Sequence, residues 1–178
     1  MTAVFCDVVG STPLGEQLDP EVLRRVMGRY FQEMRAAVEG HGGRVDKFIG
    51  DAVVAVFGVP HLHEDDALRA VRAATDMRSR LARLNQSLGA EWDVQLESRI
   101  GVSTGEVVVG AGDEALLGDV MNTAARLQSA AEPGDVLLGE PTWRLVRNAV
   151  IGEAVGPVHA KGKAVPVPAW RVVAVHAA

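Results

Sequence analysis

Cysteine is almost absent from this chain of 178 residues: Cys6 is the single one, so no internal disulfide can form, and a reduced, cytoplasmic setting is the simpler expectation. No run approaches the roughly 18 consecutive apolar residues that a membrane helix needs, so the chain is expected to carry no direct membrane segment. Basic excess is missing too. With a net charge of -5 and no lysine-rich stretch, nucleic acid is not the expected partner, because a phosphate backbone is bound by a basic patch. There are only 8 prolines, and 48% of the residues are hydrophobic, which suits one ordinary core and leaves little length for a second. A single domain over 1–178 is therefore expected. The opening residues 1–10 have no basic leader and are broken by Asp7, so they resemble a short buried strand rather than a signal peptide. Such an abrupt start leaves open that the domain is a piece of a longer protein.

Several familiar chemistries are missing by motif. No Gly-x-x-x-x-Gly-Lys-Ser/Thr occurs, and Gly110-x-Gly112 lacks the third glycine of a dinucleotide fingerprint. The run His61-Leu62-His63-Glu64-Asp65-Asp66 has the look of a zinc cluster, but further histidines are few, and a charged helix start accounts for it better. Cys6 lies in an apolar strand without a neighbouring base, as a buried thiol would. The three tryptophans are scattered rather than spaced as a stacking platform.

What is present reads as an α+β chain. Asp19-Pro20 is a capped helix start, and Val22, Val26, Tyr30, Met34 and Val38 recur every four residues up to Gly42-Gly43. Residues 44–48 and 51–57 predict two strands of a hairpin, the second nearly all apolar. A helix is predicted over 65–84, a strand over 94–102 with Arg99 on its less buried face, and a returning strand over 105–110. A short helix over 119–130, a strand over 136–138, a helical turn over 141–146 and a strand over 167–175 complete the order. The most economical architecture is a ferredoxin-like, palm-type antiparallel-rich sheet with helices on one face.

Asp7 ends an apolar strand just before Gly10-Ser11-Thr12, a small-residue turn whose N–H groups could cradle phosphate oxygens. Alone, Asp7 is as well read as a turn cap as a metal ligand. Asp51 sits at the hairpin tip and opens a buried strand, where an uncompensated charge is costly. A cation shared with Asp7 would compensate it. Asn122 and Arg126, four residues apart, project from one helix face and can reach a common ligand; a solvated face is the plainer alternative.

Taken in order, Phe5-Cys6-Asp7-Val8-Val9-Gly10-Ser11-Thr12, Lys47-Phe48-Ile49-Gly50-Asp51, Arg99-Ile100-Gly101-Val102-Ser103-Thr104-Gly105, Gly118-Asp119-Val120-Met121-Asn122-Thr123-Ala124-Ala125-Arg126-Leu127 and Lys161-Gly162-Lys163 resemble the class III adenylate and guanylate cyclase catalytic domain. That resemblance implies an adenylate cyclase turning ATP into 3′,5′-cyclic AMP and pyrophosphate. It implies two Mg²⁺ or Mn²⁺ ions held by Asp7 and Asp51, with Val8 lending a carbonyl and the turn from Val9 through Gly10, Ser11 and Thr12 holding phosphate oxygens. Arg99 and Lys161, or Lys163 in its place, would neutralise the triphosphate. Arg126 would stabilise charge on the α-phosphate and Asn122 would orient the ribose. The resemblance further implies a head-to-tail homodimer with metal carboxylates from one protomer and purine contact, Asn and Arg from its partner.

Family members commonly read adenine with a Lys and with an Asp or Thr three residues before a helix-opening Gly. Lys47 fits and favours ATP over GTP. Ala115 holds the second place and has no side-chain group to bond a base edge, so a backbone group or Asp113 stands in, or base selectivity is low. The rival reading is a cyclase-like regulatory module that binds nucleotide and dimerises with little turnover. A diguanylate cyclase would need a Gly-Gly-Asp/Glu-Glu-Phe hairpin, which the chain lacks.

Overall fold

The computed structural model describes residues 1–9, 11–106, 114–158 and 166–177, with side chains for all of these except 11–13 and 114–117. The elements run β1 (Thr2–Val9), α1 (Ser11–Gln17), α2 (Pro20–Gly40), β2 (Arg44–Ile49), β3 (Ala52–Phe57), α3 (Asp66–Trp92), β4 (Glu97–Thr104), α4 (Glu114–Ala130), β5 (Val136–Gly139), α5 (Glu140–Val146), β6 (Val150–Val158) and β7 (Val167–Val175). Seven strands form one sheet in the order β2-β3-β1-β4-β5-β7-β6. Every pairing is antiparallel except β4 with β5. This is the α+β, antiparallel-rich class that the patterning predicts.

One placement differs from expectation. Strand alternation sends Val4, Cys6 and Val8 into a core shared with Val26, Tyr30 and Met34 of α2 and Val71, Ala74 and Met77 of α3. The alternate residues Ala3 and Phe5 instead meet Val120, Met121 and Ala124 of α4. Helices α2 and α3 thus cover one face and α4 the other, not all on one face. The physical reason lies in β4: Ile100 and Val102 feed the larger core, while Gly101 leaves room for α4 to lie against the opposite face. A Cβ there would fall 2.5 Å from the Gln128 amide nitrogen and collide with the Ala124 carbonyl.

The remaining differences are local. Asp19 caps α2 as expected, its carboxylate accepting from the Glu21 N–H at 3.0 Å. Helix α3 runs eight residues past 84, because Leu88 continues the buried stripe to the left-handed Asp93 that ends it. His63 and Asp66 form that helix's start, with the His63 N–H donating to Asp66 at 2.7 Å. Ser11 and Thr12 open α1, so the expected turn is a short helix. The edge strand β6 breaks simple alternation: its pairing with β7 shifts register twice, around Gly152 and around Gly156-Pro157, which hides it from a period-two search. The strand expected at 105–110 lies largely outside the described residues. No described helix is long and apolar enough to cross a membrane.

Candidate active site

The site forms where three strand ends converge. In the β1–β4 register Asp7 stands opposite Arg99. In the β1–β3 register Cys6 stands opposite Val53, so the two-residue step back to Asp51 brings the hairpin tip alongside Asp7. Gly50 makes that tip possible: its φ of +61° is left-handed, which glycine adopts without strain. The expected juxtaposition of Asp7 and Asp51 is therefore observed.

The electrostatics of the pair suit a divalent cation. The Asp7 carboxyl is pushed up to about 6, first by burial and then by contact with the Asp51 carboxyl and its charge. The Val8 backbone N–H and Arg99 pull it part of the way back. Asp7 Oδ1 is buried without a hydrogen-bond partner. Oδ2 is held from two sides, by Gln128 Nε2 at 3.3 Å and by Arg99 Nη2 at 3.8 Å. An orphaned buried acceptor beside a second carboxylate is costly on its own and fits a divalent cation. Among the described residues no group of three or more His, Cys, Asp or Glu gathers around a metal position. Two carboxylates suffice for ions that complete their shell with backbone carbonyls, water and substrate phosphates, as Mg²⁺ does.

Behind the pair, Cys6 Sγ lies 3.3 Å from the Tyr30 hydroxyl in the core, and burial pushes the thiol up to about 12. It is a packed thiol, not a nucleophile.

Arg99 reaches the site from β4, with its guanidinium also donating to the Ser129 carbonyl at 3.3 Å and its Nε buried without a partner. Lys47 is exposed on the edge strand β2, beside Phe48, whose ring packs 4.8 Å from that of Phe31. Asn122 is exposed and Arg126 half-exposed on α4, whereas Val120, Ala124, Leu127 and Gln128 of that helix are buried. At about 100° per residue, Arg126 and Gln128 point about 200° apart around the helix axis. Asn122 and Arg126 thus share the face of α4 turned away from Asp7. The structure gathers Asp7, Asp51 and Arg99, but not Asn122 and Arg126, within this chain.

Val8 and Val9 end β1 beside the carboxylates, and α1 begins at Ser11, with the side chains of Ser11 and Thr12 undescribed. Gly10, Asp113, Lys161 and Lys163 lie outside the described residues. Ala115 lies in the first turn of α4, which starts at Glu114, so Gly118 falls inside the helix rather than opening it. Gln128 is the site residue that sequence reasoning missed. Its signal was available: a polar side chain in register with the buried stripe of Val120, Ala124, Leu127 and Ala131.

The whole arrangement has known relatives. Residues 1–171 match the sequence model of the adenylate and guanylate cyclase catalytic domain. The chain belongs to this class III cyclase family. Among solved structures, the cyclase domain superimposes on the adenylyl cyclase CyaB from P. aeruginosa with a TM-score of 0.86 at 30% identity, covering 98% of this chain and 94% of that one. A guanylyl cyclase crystal structure gives the same TM-score of 0.86 at 34% identity, covering 98% and 91%. Adenylate cyclase 1 of Rhizobium meliloti (strain 1021) is 28% identical over 98% of the chain. The chain spans 28% of that relative's length, so the match is to one part of a longer protein. Neighbours named for both purines thus share this fold.

Proposed function

We propose that this cyclase domain converts ATP to 3′,5′-cyclic AMP and pyrophosphate, by two-metal catalysis at sites completed across a head-to-tail homodimer. The observation that carries the reading is the apposition of Asp7 and Asp51, two half-buried carboxylates whose mutual repulsion cations would compensate. Asp7, Asp51 and the Val8 carbonyl would hold two Mg²⁺ or Mn²⁺ ions, which when bound supply acidification of the ribose 3′-hydroxyl and a clamp on the triphosphate.

The chain's own residues do the rest by position and charge. Arg99 approaches from β4 and neutralises triphosphate oxygens, a task shared with Lys161. The small-residue turn through Gly10, Ser11 and Thr12 follows β1 in the chain and would add donors to the phosphate oxygens. Asn122 and Arg126 face away from their own carboxylates, which supports their use in the partner's site: Asn122 orients the ribose and Arg126 stabilises charge growing on the α-phosphate. Lys47, a donor exposed on the edge strand, supports adenine over guanine, since ring nitrogen N1 of adenine accepts a hydrogen bond where guanine carries an N1–H donor.

The test is direct. The purified domain is given ATP or GTP with Mg²⁺ or Mn²⁺, and cyclic products are quantified by mass spectrometry. Cyclic AMP that disappears in Asp51→Ala supports the reading, and no cyclic product from a confirmed dimer overturns it in favour of a regulatory module. Mixing Asp51→Ala with Arg126→Ala is expected to restore one working site per heterodimer.

A further inference from the structure

Gln128 is 3% exposed, a rare degree of burial for glutamine, and its amide spends a donor on Asp7 Oδ2 at 3.3 Å. Arg99 approaches the same oxygen at 3.8 Å. Both of these side-chain donors therefore act on Oδ2, and Oδ1 is buried with no hydrogen-bonding side chain of its own. The two oxygens are chemically equivalent, so what these donors fix is the plane and direction of the carboxylate. Asp7 is one χ2 rotation away from turning both oxygens elsewhere, and a broad, two-fold torsion offers little resistance of its own.

A neutral amide suits the task better than a charge. A carboxylate at 128 would add a third negative group beside Asp7 and Asp51, and an aliphatic side chain would leave Oδ2 with Arg99 alone. Placement of the amide depends on Gly101, which admits α4 so closely that the Gln128 backbone nitrogen sits 2.5 Å from where a Cβ would be.

We propose that Gln128 is a positioning residue for metal binding: it anchors Asp7 through Oδ2 and thereby presents Oδ1 to a divalent cation. It acts on the carboxylate of its own chain. Because Asn122 and Arg126 occupy the opposite side of α4, this one helix supports the metal carboxylates of one site and carries the transition-state residues for the other. The proposal rests on the reading that Asp7 and Asp51 hold metal.

The test uses Gln128→Leu, with Gln128→Met as a second apolar variant should the first fail to fold. Mn²⁺ binding to the nucleotide-free dimer is followed by loss of the free-ion electron paramagnetic resonance signal. Loss of an outer-shell partner is expected to raise the Mn²⁺ dissociation constant about tenfold or more, and an unchanged constant would overturn the proposal. A mixture with Arg126→Ala then separates positioning from damage to α4. In that heterodimer one site combines the intact Asp7, Asp51 and Gln128 of the Arg126→Ala chain with the intact Asn122 and Arg126 of the Gln128→Leu chain. It is expected to show wild-type Mn²⁺ dependence of turnover, whereas a shifted dependence would mean that the substitution deforms the outer face of α4 and would overturn the positioning role. If Asp51→Ala with Arg126→Ala restores nothing while the Mn²⁺ defect stands, the dimer reading fails and the role of Gln128 survives. Mn²⁺ binding that Asp51→Ala leaves unaltered removes the metal reading and this proposal with it.

Discussion

Asp7 and Arg99 face each other across β1 and β4, with Arg99 Nη2 3.8 Å from Asp7 Oδ2, while Asp7 Oδ1 and Arg99 Nε are both buried without hydrogen-bond partners. Each group thus keeps bonding capacity in reserve at the place where metal and triphosphate would meet. Buried polar atoms are otherwise almost always satisfied, so two orphans on facing residues support the proposed metal and triphosphate site.

Replacing Arg99 should separate binding from chemistry. In Arg99→Met the triphosphate loses a charge-assisted contact of about 1.5–3 kcal/mol, so the KM for nucleotide is expected to rise roughly tenfold or more, with a smaller change in kcat. Steady-state kinetics at saturating Mn²⁺ measure it.

The metal-free protein should carry an inverted pH dependence at Asp7. Its folded-state pKa of about 6 lies above the ordinary aspartate value of 3.8, so the native state holds this proton more tightly. The contribution to stability is fully present below about 3.8 and is lost as pH rises through about 6. With metal chelated, Asp7→Asn is expected to melt at a higher temperature than wild type at pH 7.5, with the difference shrinking towards pH 4. Adding Mn²⁺ should raise the melting temperature of wild type but much less that of the variant.

Gly101→Ala should damage fold and site together. The new methyl collides with α4 backbone at Ala124 and Gln128, which cannot step aside as a flexible side chain could. A loss of about 3 kcal/mol, the upper end of overpacking costs, is expected in urea unfolding. Mn²⁺ affinity should fall as well, because lifting α4 withdraws the Gln128 amide from Asp7.

Base choice should turn on Lys47. Lys47→Glu exchanges a donor for an acceptor on the exposed edge strand, and the ratio of kcat/KM for ATP over GTP is expected to fall about tenfold or more. An unchanged ratio would assign purine selection elsewhere, and residues 107–117 would be the next to substitute.

The strand–helix order was readable because the patterns are strong where the fold needs them. Val22 to Val38 at four-residue spacing and the unbroken apolar run of β3 leave few alternatives. Where local signals conflict with tertiary context, reading failed: Pro13 and Gly15 disguise α1, and the register shifts of β6 disguise an edge strand. Asp7 and Asp51 were identifiable from chain position, being carboxylates next to buried strands. Gln128 was not singled out, since its meaning depends on which face of α4 meets the sheet.

By itself, then, the sequence determined most of the elements, the two carboxylates as candidates and the family, because periodicity and ordered motifs are local properties of the chain. Only tertiary structure decided that α4, unlike α2 and α3, lies on the second face of the sheet, that Gln128 reaches Asp7 while Asn122 and Arg126 point away from it, and that Arg99 faces Asp7. The physical reason is that these relations depend on strand register and on the close approach that Gly101 permits, and both are settled by packing between segments that are not neighbours in sequence.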